Sequence, residues 1–296
     1  MDERGGRFGA DAGRTAATPR PAHLALPPPR PTRGRHLRRR RRTELVRRVG
    51  TVLAVVLMLA GCGRAVPGAP APSTATTPAA SAAPGPGRVP LGEGSTYVAV
   101  ATTDVTARSK PGGGRVVGLF PKTTPWGSPT PFLVTQAYRN AAGDIWLQVL
   151  LPRRPNELTG WVRRDQVRLR PVVHRLEVDL SARTVRLLRH GRTERTWSVG
   201  IGRAATPTPT GSFYVTVKLR PPQISAVYGA WALGLSGYSE VLEQFGTGDG
   251  QIALHGTADP ADLGRQVSNG CVRLDNQAIT SLAETLPLGT PVTIRA

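Results

Sequence analysis

Residues Gln251–Asn276 read QIALHGTADPADLGRQVSNGCVRLDN. The stretch opens on a strand-like run, Gln251–Leu254, and reaches His255 and Gly256. It then crosses a polar segment rich in Asp, Pro and Gly and returns through Ser268-Asn269-Gly270 to Cys271. The tripeptide before Cys271 is turn-prone and can expose both backbone N–H groups and the sulfur. A thiol with an ordinary pKa of about 8.5 is mostly protonated at neutral pH, so nucleophilic chemistry needs a nearby base or positive charge. His255 can supply the base and Arg273, two residues on, the charge. The N–H groups of Gly270 and Cys271 can stabilise a tetrahedral oxyanion. A lone Cys and a lone His more often serve structure than chemistry, and on the residues alone both readings stand.

The pattern to either side is that of strands. Arg175–Leu180 alternates, with Leu176, Val178 and Leu180 on one face and Glu177 and Asp179 on the other. Thr184–Leu188, Thr196–Ile201, Ser212–Leu219 and Val292–Ile294 continue it. Helical periodicity is brief: Ser239–Phe245 precedes Gly246, a helix stop, and Gln277–Leu286 follows Asn276 as a candidate N-cap. Residues 172–296 therefore read as a mainly β domain with one or two short helices, large enough for its own core. Upstream, residues 96–171 carry β-rich runs at Tyr97–Ala101, Arg115–Phe120, Phe132–Tyr138 and Ile145–Leu151, with a hairpin loop at Asn140–Asp144. Such spacing fits a small barrel or sandwich. Trp146 and Trp161 read either as core or as a platform for a glycan or peptide.

The combination HG, then S-N-G-C-V-R-L and Asn276 resembles the signature of the L,D-transpeptidase (YkuD-type) family, usually seen as HG followed by S-H-G-C. Thr208–Phe213 matches that family's TPxGxF turn, and Tyr228–Phe245 resembles its substrate-cleft segment. Trp146–Val162 resembles the SH3-like module that precedes the catalytic domain in many actinobacterial L,D-transpeptidases. The departure is Asn269, which stands where the family usually has His. The resemblance implies a small SH3-like β barrel followed by an L,D-transpeptidase β sandwich. It implies Cys271 as nucleophile, His255 as base, and Gly270 and Cys271 as oxyanion donors. Ser268, Asn269, Arg273 and Asn276 then shape the loop or meet substrate carboxylates, for Arg273 with a structural salt bridge as an equal reading. Gly256 allows close backbone approach, and Tyr228 and Trp231 line the cleft or pack in the core. The activity implied is cross-linking of peptidoglycan stem peptides, donor and acceptor, between their third residues. It proceeds through a Cys thioester with release of terminal D-Ala, without metal or organic cofactor, and with carbapenems as candidate inhibitors. An L,D-carboxypeptidase on the same fold, a Cys–His wall peptidase and a non-catalytic wall-binding lipoprotein are the competing readings. His255 preceding Cys271 disfavours the peptidase.

The N-terminal part has a separate logic. A basic run from Arg38 to Arg48 precedes TVLAVVLMLA, Thr51–Ala60, and then Leu59-Ala60-Gly61-Cys62. Ten helical residues rise about 15 Å, half a bilayer core, which is too short to span. A basic region before a short apolar one describes a secretory signal, and the sequence at Cys62 resembles a bacterial lipobox. The expectation is a signal peptide over residues 38–61, lipidation of Cys62, and export to the outer face of the cytoplasmic membrane. Residues 1–37, Arg/Pro/Gly-rich without periodicity, read as a disordered extension. A translation start near Val46 is one explanation for it. Residues 62–95 are Pro/Ala-rich and read as a linker. Each cysteine thus has its own explanation, against a disulfide between them. Residues 1–50 hold 14 Arg and 4 acidic residues, so half of the formal net charge of +20 lies outside the β-rich part. With no helix-turn-helix or zinc spacing beside it, the charge does not argue for nucleic acid.

Overall fold

Val- and Leu-rich runs separated by Gly and Asn turns pair into one antiparallel sheet across residues 87–172. The computed structural model describes residues 85–92, 95–224, 227–244 and 248–296; the signal-like segment and Cys62 lie outside them. The first sheet comprises β1 (Gly87–Val89), β2 (Thr96–Ala101), β3 (Val105–Lys110), β4 (Gly113–Phe120), β5 (Pro131–Arg139), β6 (Ile145–Leu150), β7 (Thr159–Arg163) and β8 (Val167–Val172). Their order is β4-β3-β7-β6-β5-β2-β8, and β1, which falls within the stretch read as linker, pairs with β5. One core cluster, including Ala99, Val105, Phe132, Leu147, Val149 and Val162, holds this sheet together. Trp146 and Trp161 are both buried, so of their two readings the core one holds.

The second sheet comprises β9 (His174–Asp179), β10 (Thr184–Arg189), β11 (Arg192–Ser198), β13 (Gly211–Leu219), β14 (Ala232–Tyr238), β15 (Gln251–Gly256), β17 (Val272–Leu274) and β18 (Pro291–Arg295). Its order is β11-β10-β9-β18-β13-β14-β15-β17, with β12 (Ile201–Gly202) and β16 (Gln266–Ser268) as a separate parallel pair. β13 joins two halves. Gly211–Tyr214 pairs with β18 and Val215–Leu219 with β14, with a register shift between Val215 and Val217. A strand that changes partners at a bulge is how one sheet folds over on itself. Leu176, Val178 and Val185 from one half and Leu233, Leu254 and Val272 from the other then share a single core.

The only α-helix among the described residues, α1 (Asn276–Thr285), packs Ala278, Ile279, Leu282 and Ala283 into that core. Its N-cap is Asp275, not the expected Asn276: the Asp275 carboxylate accepts from the N–H groups of Gln277 and Ala278. The helix expected from Ser239 does not form over residues 239–244. Ser239 Oγ does accept from the N–H groups of Val241 and Leu242, as a cap would. The Ser239 and Leu242 carbonyls, however, accept from Arg154 Nη1 and Nη2 at 2.7 and 2.8 Å.

Arg154 belongs to a loop of the first sheet that docks on the second. Asn156 exchanges two hydrogen bonds with the Tyr238 backbone, at 2.8 and 2.9 Å. Glu157 accepts from the Ser212 N–H, and the Tyr238 hydroxyl donates to the Pro152 carbonyl. The fully buried Tyr214 donates to the Leu150 carbonyl and packs with Leu133 and Leu150.

Candidate active site

β15 and β17 run parallel, with Leu254 opposite Val272 and His255 opposite Arg273. Side chains alternate across a strand, so the two strands present two faces. Ile252, Leu254, Val272 and Leu274 face the core. Ala253 and His255, with Cys271 one step before β17 and then Arg273, share the opposite face. The sequence motif is therefore one surface of a two-strand ladder, and the register brings Cys271 level with Ala253.

His255 is 3% exposed, and its Nδ1 lies 2.7 Å from the carbonyl oxygen of Gly256. A carbonyl only accepts, so Nδ1 carries the proton and Nε2 keeps the lone pair a general base needs. Burial lowers the His255 pKa to about 4; the Gly256 bond and Asp262 oppose that shift, and Arg273 adds to it. Burial also pushes the Cys271 thiol up, against the Ala253 backbone and the Arg273 guanidinium, which both favour the thiolate. The resting pair at neutral pH is therefore a neutral imidazole and a thiol, not an ion pair. Tyr228 stands edge-on to His255, ring centroids 5.3 Å apart. Burial and the charge at Cys271 raise the Tyr228 pKa, so its hydroxyl stays protonated beside the thiol.

The loop before Cys271 is braced from within. Ser268 Oγ donates to the Cys271 carbonyl at 2.5 Å and accepts the Gly270 N–H at 3.1 Å. The Gly270 N–H is thus engaged inside the turn. The Cys271 N–H has no acceptor among the described residues. Gly270 adopts φ +115°, and a Cβ there would lie 3.0 Å from Ile252 Cδ1, so the turn demands glycine. Asn269 Oδ1 accepts a hydrogen bond from Arg203 Nη2.

Arg273 takes the salt-bridge reading, with Nη1 2.8 Å from Asp262 Oδ2. That carboxylate also accepts from Thr257 Oγ1 at 2.5 Å. Burial raises the Asp262 pKa, but the bonds from Thr257 and Arg273 outweigh it and the group is held below its usual value. Asn276 spends both polar ends on the backbone: Oδ1 accepts from the Ala230 N–H at 2.7 Å and Nδ2 donates to the Thr257 carbonyl at 3.0 Å. It fastens the 229–231 turn against Gly256, where a Cβ would come within 3.0 Å of Gly229 Cα. Trp231 packs against the core with the Arg220 guanidinium 5.6 Å from its ring centroid. Two residues of the site escaped sequence reading. Asp262 lies inside the quoted stretch but without a spacing cue to Arg273. Arg203 lies outside it, brought in by the pairing of β12 with β16. Among the described residues, no three His, Cys, Asp or Glu side chains gather into a metal-binding group.

A sequence profile of the L,D-transpeptidase catalytic domain matches residues 173–294. The YkuD protein of Bacillus licheniformis is 32% identical over 154 residues, 50% of this chain and 85% of that protein. This chain belongs to the L,D-transpeptidase (YkuD) family. The YkuD protein of Bacillus subtilis strain 168 is 34% identical over 123 residues, 42% of this chain and 66% of that relative, a little under two thirds of its length. Among solved structures, L,D-transpeptidase 3 from Mycobacterium tuberculosis, in complex with a faropenem-derived adduct, is 15% identical. The match covers 52% of this chain and 91% of that one, with a TM-score of 0.35. The family match lies on the second sheet, which carries His255 and Cys271; the first sheet lies outside the profile.

Proposed function

We propose that this L,D-transpeptidase family member cross-links peptidoglycan stem peptides through a thioester on Cys271. The observation that carries the reading is the shared face of β15 and β17, with a neutral, correctly tautomerised His255 on the same surface as Cys271. His255 Nε2 takes the thiol proton while sulfur attacks the carbonyl that joins the third stem residue to terminal D-Ala. The C–S bond forms, the C–N bond breaks, and the proton passes to the departing amine of D-Ala. The side-chain amine of a second stem's third residue then attacks the thioester. A C–N bond forms, the C–S bond breaks, and the amine's proton returns through His255 to the thiolate. The Cys271 N–H stabilises the oxyanion in both steps. Carbapenems, with a strained acyl group, are candidate acylating inhibitors of the same thiol. No cofactor enters this scheme.

Purified protein incubated with disaccharide tetrapeptides, read by mass spectrometry, tests it. Dimers lacking one D-Ala support transpeptidation. Tripeptides alone indicate the carboxypeptidase, and unchanged substrate indicates a binding module. The same proposal places the domain outside the cytoplasmic membrane, tethered by a lipid on Cys62 through the Pro/Ala-rich linker, with the first β sheet as its SH3-like companion. Cys62→Ser should abolish lipidation, and a lipidated mature N-terminus in that variant would contradict the anchor.

A further inference from the structure

Arg203 stands beside the nucleophile turn with a charge that the turn does not use up. Its backbone is pinned to that turn: the Arg203 N–H donates to the Ser268 carbonyl at 3.1 Å, and Thr206 Oγ1 donates to the same oxygen at 3.2 Å. Its guanidinium is aimed by the turn as well, with Nη2 donating to Asn269 Oδ1 and Nε to Thr206 Oγ1 at 3.4 Å. Both partners are neutral. Arg203 is exposed and makes no ion pair among the described residues, whereas Arg273, on the same site, is neutralised by Asp262 at 2.8 Å. The result is a positioned, uncompensated cation hydrogen-bonded to Asn269, whose Cα lies at most about 7 Å from that of Cys271, two residues on.

The geometry points to Arg203 as the site that binds the free C-terminal carboxylate of the acyl donor. This inference rests on the proposed acyl transfer and deepens it. In a donor that loses its terminal residue, the carboxylate carbon lies only three bonds, about 4 Å, from the carbonyl carbon that sulfur attacks. An anion must therefore come to rest close to Cys271, and a guanidinium meets a carboxylate with two parallel charge-assisted hydrogen bonds. Nη2 is tied to Asn269, which leaves Nη1 and the outer edge of the fork for the substrate. Arg203 thereby restricts cleavage to the last residue of a chain, because an internal peptide bond presents no carboxylate at that distance.

The test is single-turnover acylation of the full chain, without acceptor, by a stem tetrapeptide and by the same tetrapeptide ending in a C-terminal amide. Arg203→Gln keeps a donor for Asn269 and removes the charge; Arg203→Lys keeps the charge. The expected result is a loss of about 10- to 100-fold for Arg203→Gln with the carboxylate donor, the span of a charge-assisted hydrogen bond. Arg203→Lys should recover part of that loss, and wild type and Arg203→Gln should be about equal on the amide donor. An equal loss on both donors would reduce Arg203 to a brace for the turn and overturn the inference. So would no loss on either donor. Wild-type protein that keeps an alkylatable Cys271 yet is acylated by neither donor would instead sink the proposed acyl transfer, and the carboxylate site with it.

Discussion

The Nδ1 nitrogen of His255 is held 2.7 Å from the carbonyl oxygen of Gly256, the next residue along the same strand. A backbone carbonyl fixes the imidazole tautomer there without adding a charge. His255→Gln keeps polarity and approximate size but cannot accept and return a proton. It should slow acylation by about 10²–10⁴-fold. Acylation rate against pH checks this, and an unchanged rate and profile would remove His255 from the chemistry.

Burial of that imidazole also has a thermodynamic signature. The folded-state pKa of about 4 lies below the ordinary value of 6.5, so the unfolded chain binds the extra proton between those limits. Stability from this source is fully present above about 6.5 and is lost as pH falls toward 4. The shift corresponds to about 3 kcal/mol at most. Denaturation midpoints at several pH values should show wild type losing stability across this window more steeply than His255→Gln. Parallel slopes would contradict the burial argument.

Arg273 favours the thiolate of Cys271 while Asp262 partly neutralises it. Arg273→Gln should therefore move the pH midpoint of Cys271 alkylation upward. A midpoint that stays in place or falls would show that the Arg273 charge does not reach the sulfur.

Arg154 donates to the carbonyls of Ser239, Leu242 and Asp249 at 2.7–3.0 Å, across the junction of the two sheets. Arg154→Ala should destabilise the fold by about 1–3 kcal/mol, since it strips three acceptors of a charged donor. It should also raise amide exchange at Val241 and Leu242 while leaving alkylation of Cys271 unchanged. Unaltered exchange there would mean that the clamp does not order the segment.

Arg154 also marks where sequence reading stops. Ser239 to Leu242 carries a helical cue, and Ser239 does cap two N–H groups. The carbonyls that would continue a helix are taken by an arginine 85 and 88 residues away, which no local pattern reports. β9 and β18 were legible because one face of each is buried and their residues alternate, and β13 because Phe213–Val217 form a run buried on both faces. β3, reading VTARSK, was not: only Val105 and Ala107 are buried, and its polar half resembles a loop. At the site, His255 and Cys271 were legible because one ladder carries both. Asn276 lost its expected cap role to the preceding Asp275. Arg203 was invisible because nothing in its own neighbourhood announces the pairing of Gly202 with Ser268.

The central claim is a covalent acyl-enzyme on Cys271. Intact-protein mass spectrometry after mixing with a stem tetrapeptide, acceptor withheld, tests it most directly. The account predicts an adduct of the tetrapeptide minus D-Ala, mapped to the peptide containing Cys271 and absent from Cys271→Ala. An adduct that persists in Cys271→Ala, or undiminished release of D-Ala by that variant, would contradict it.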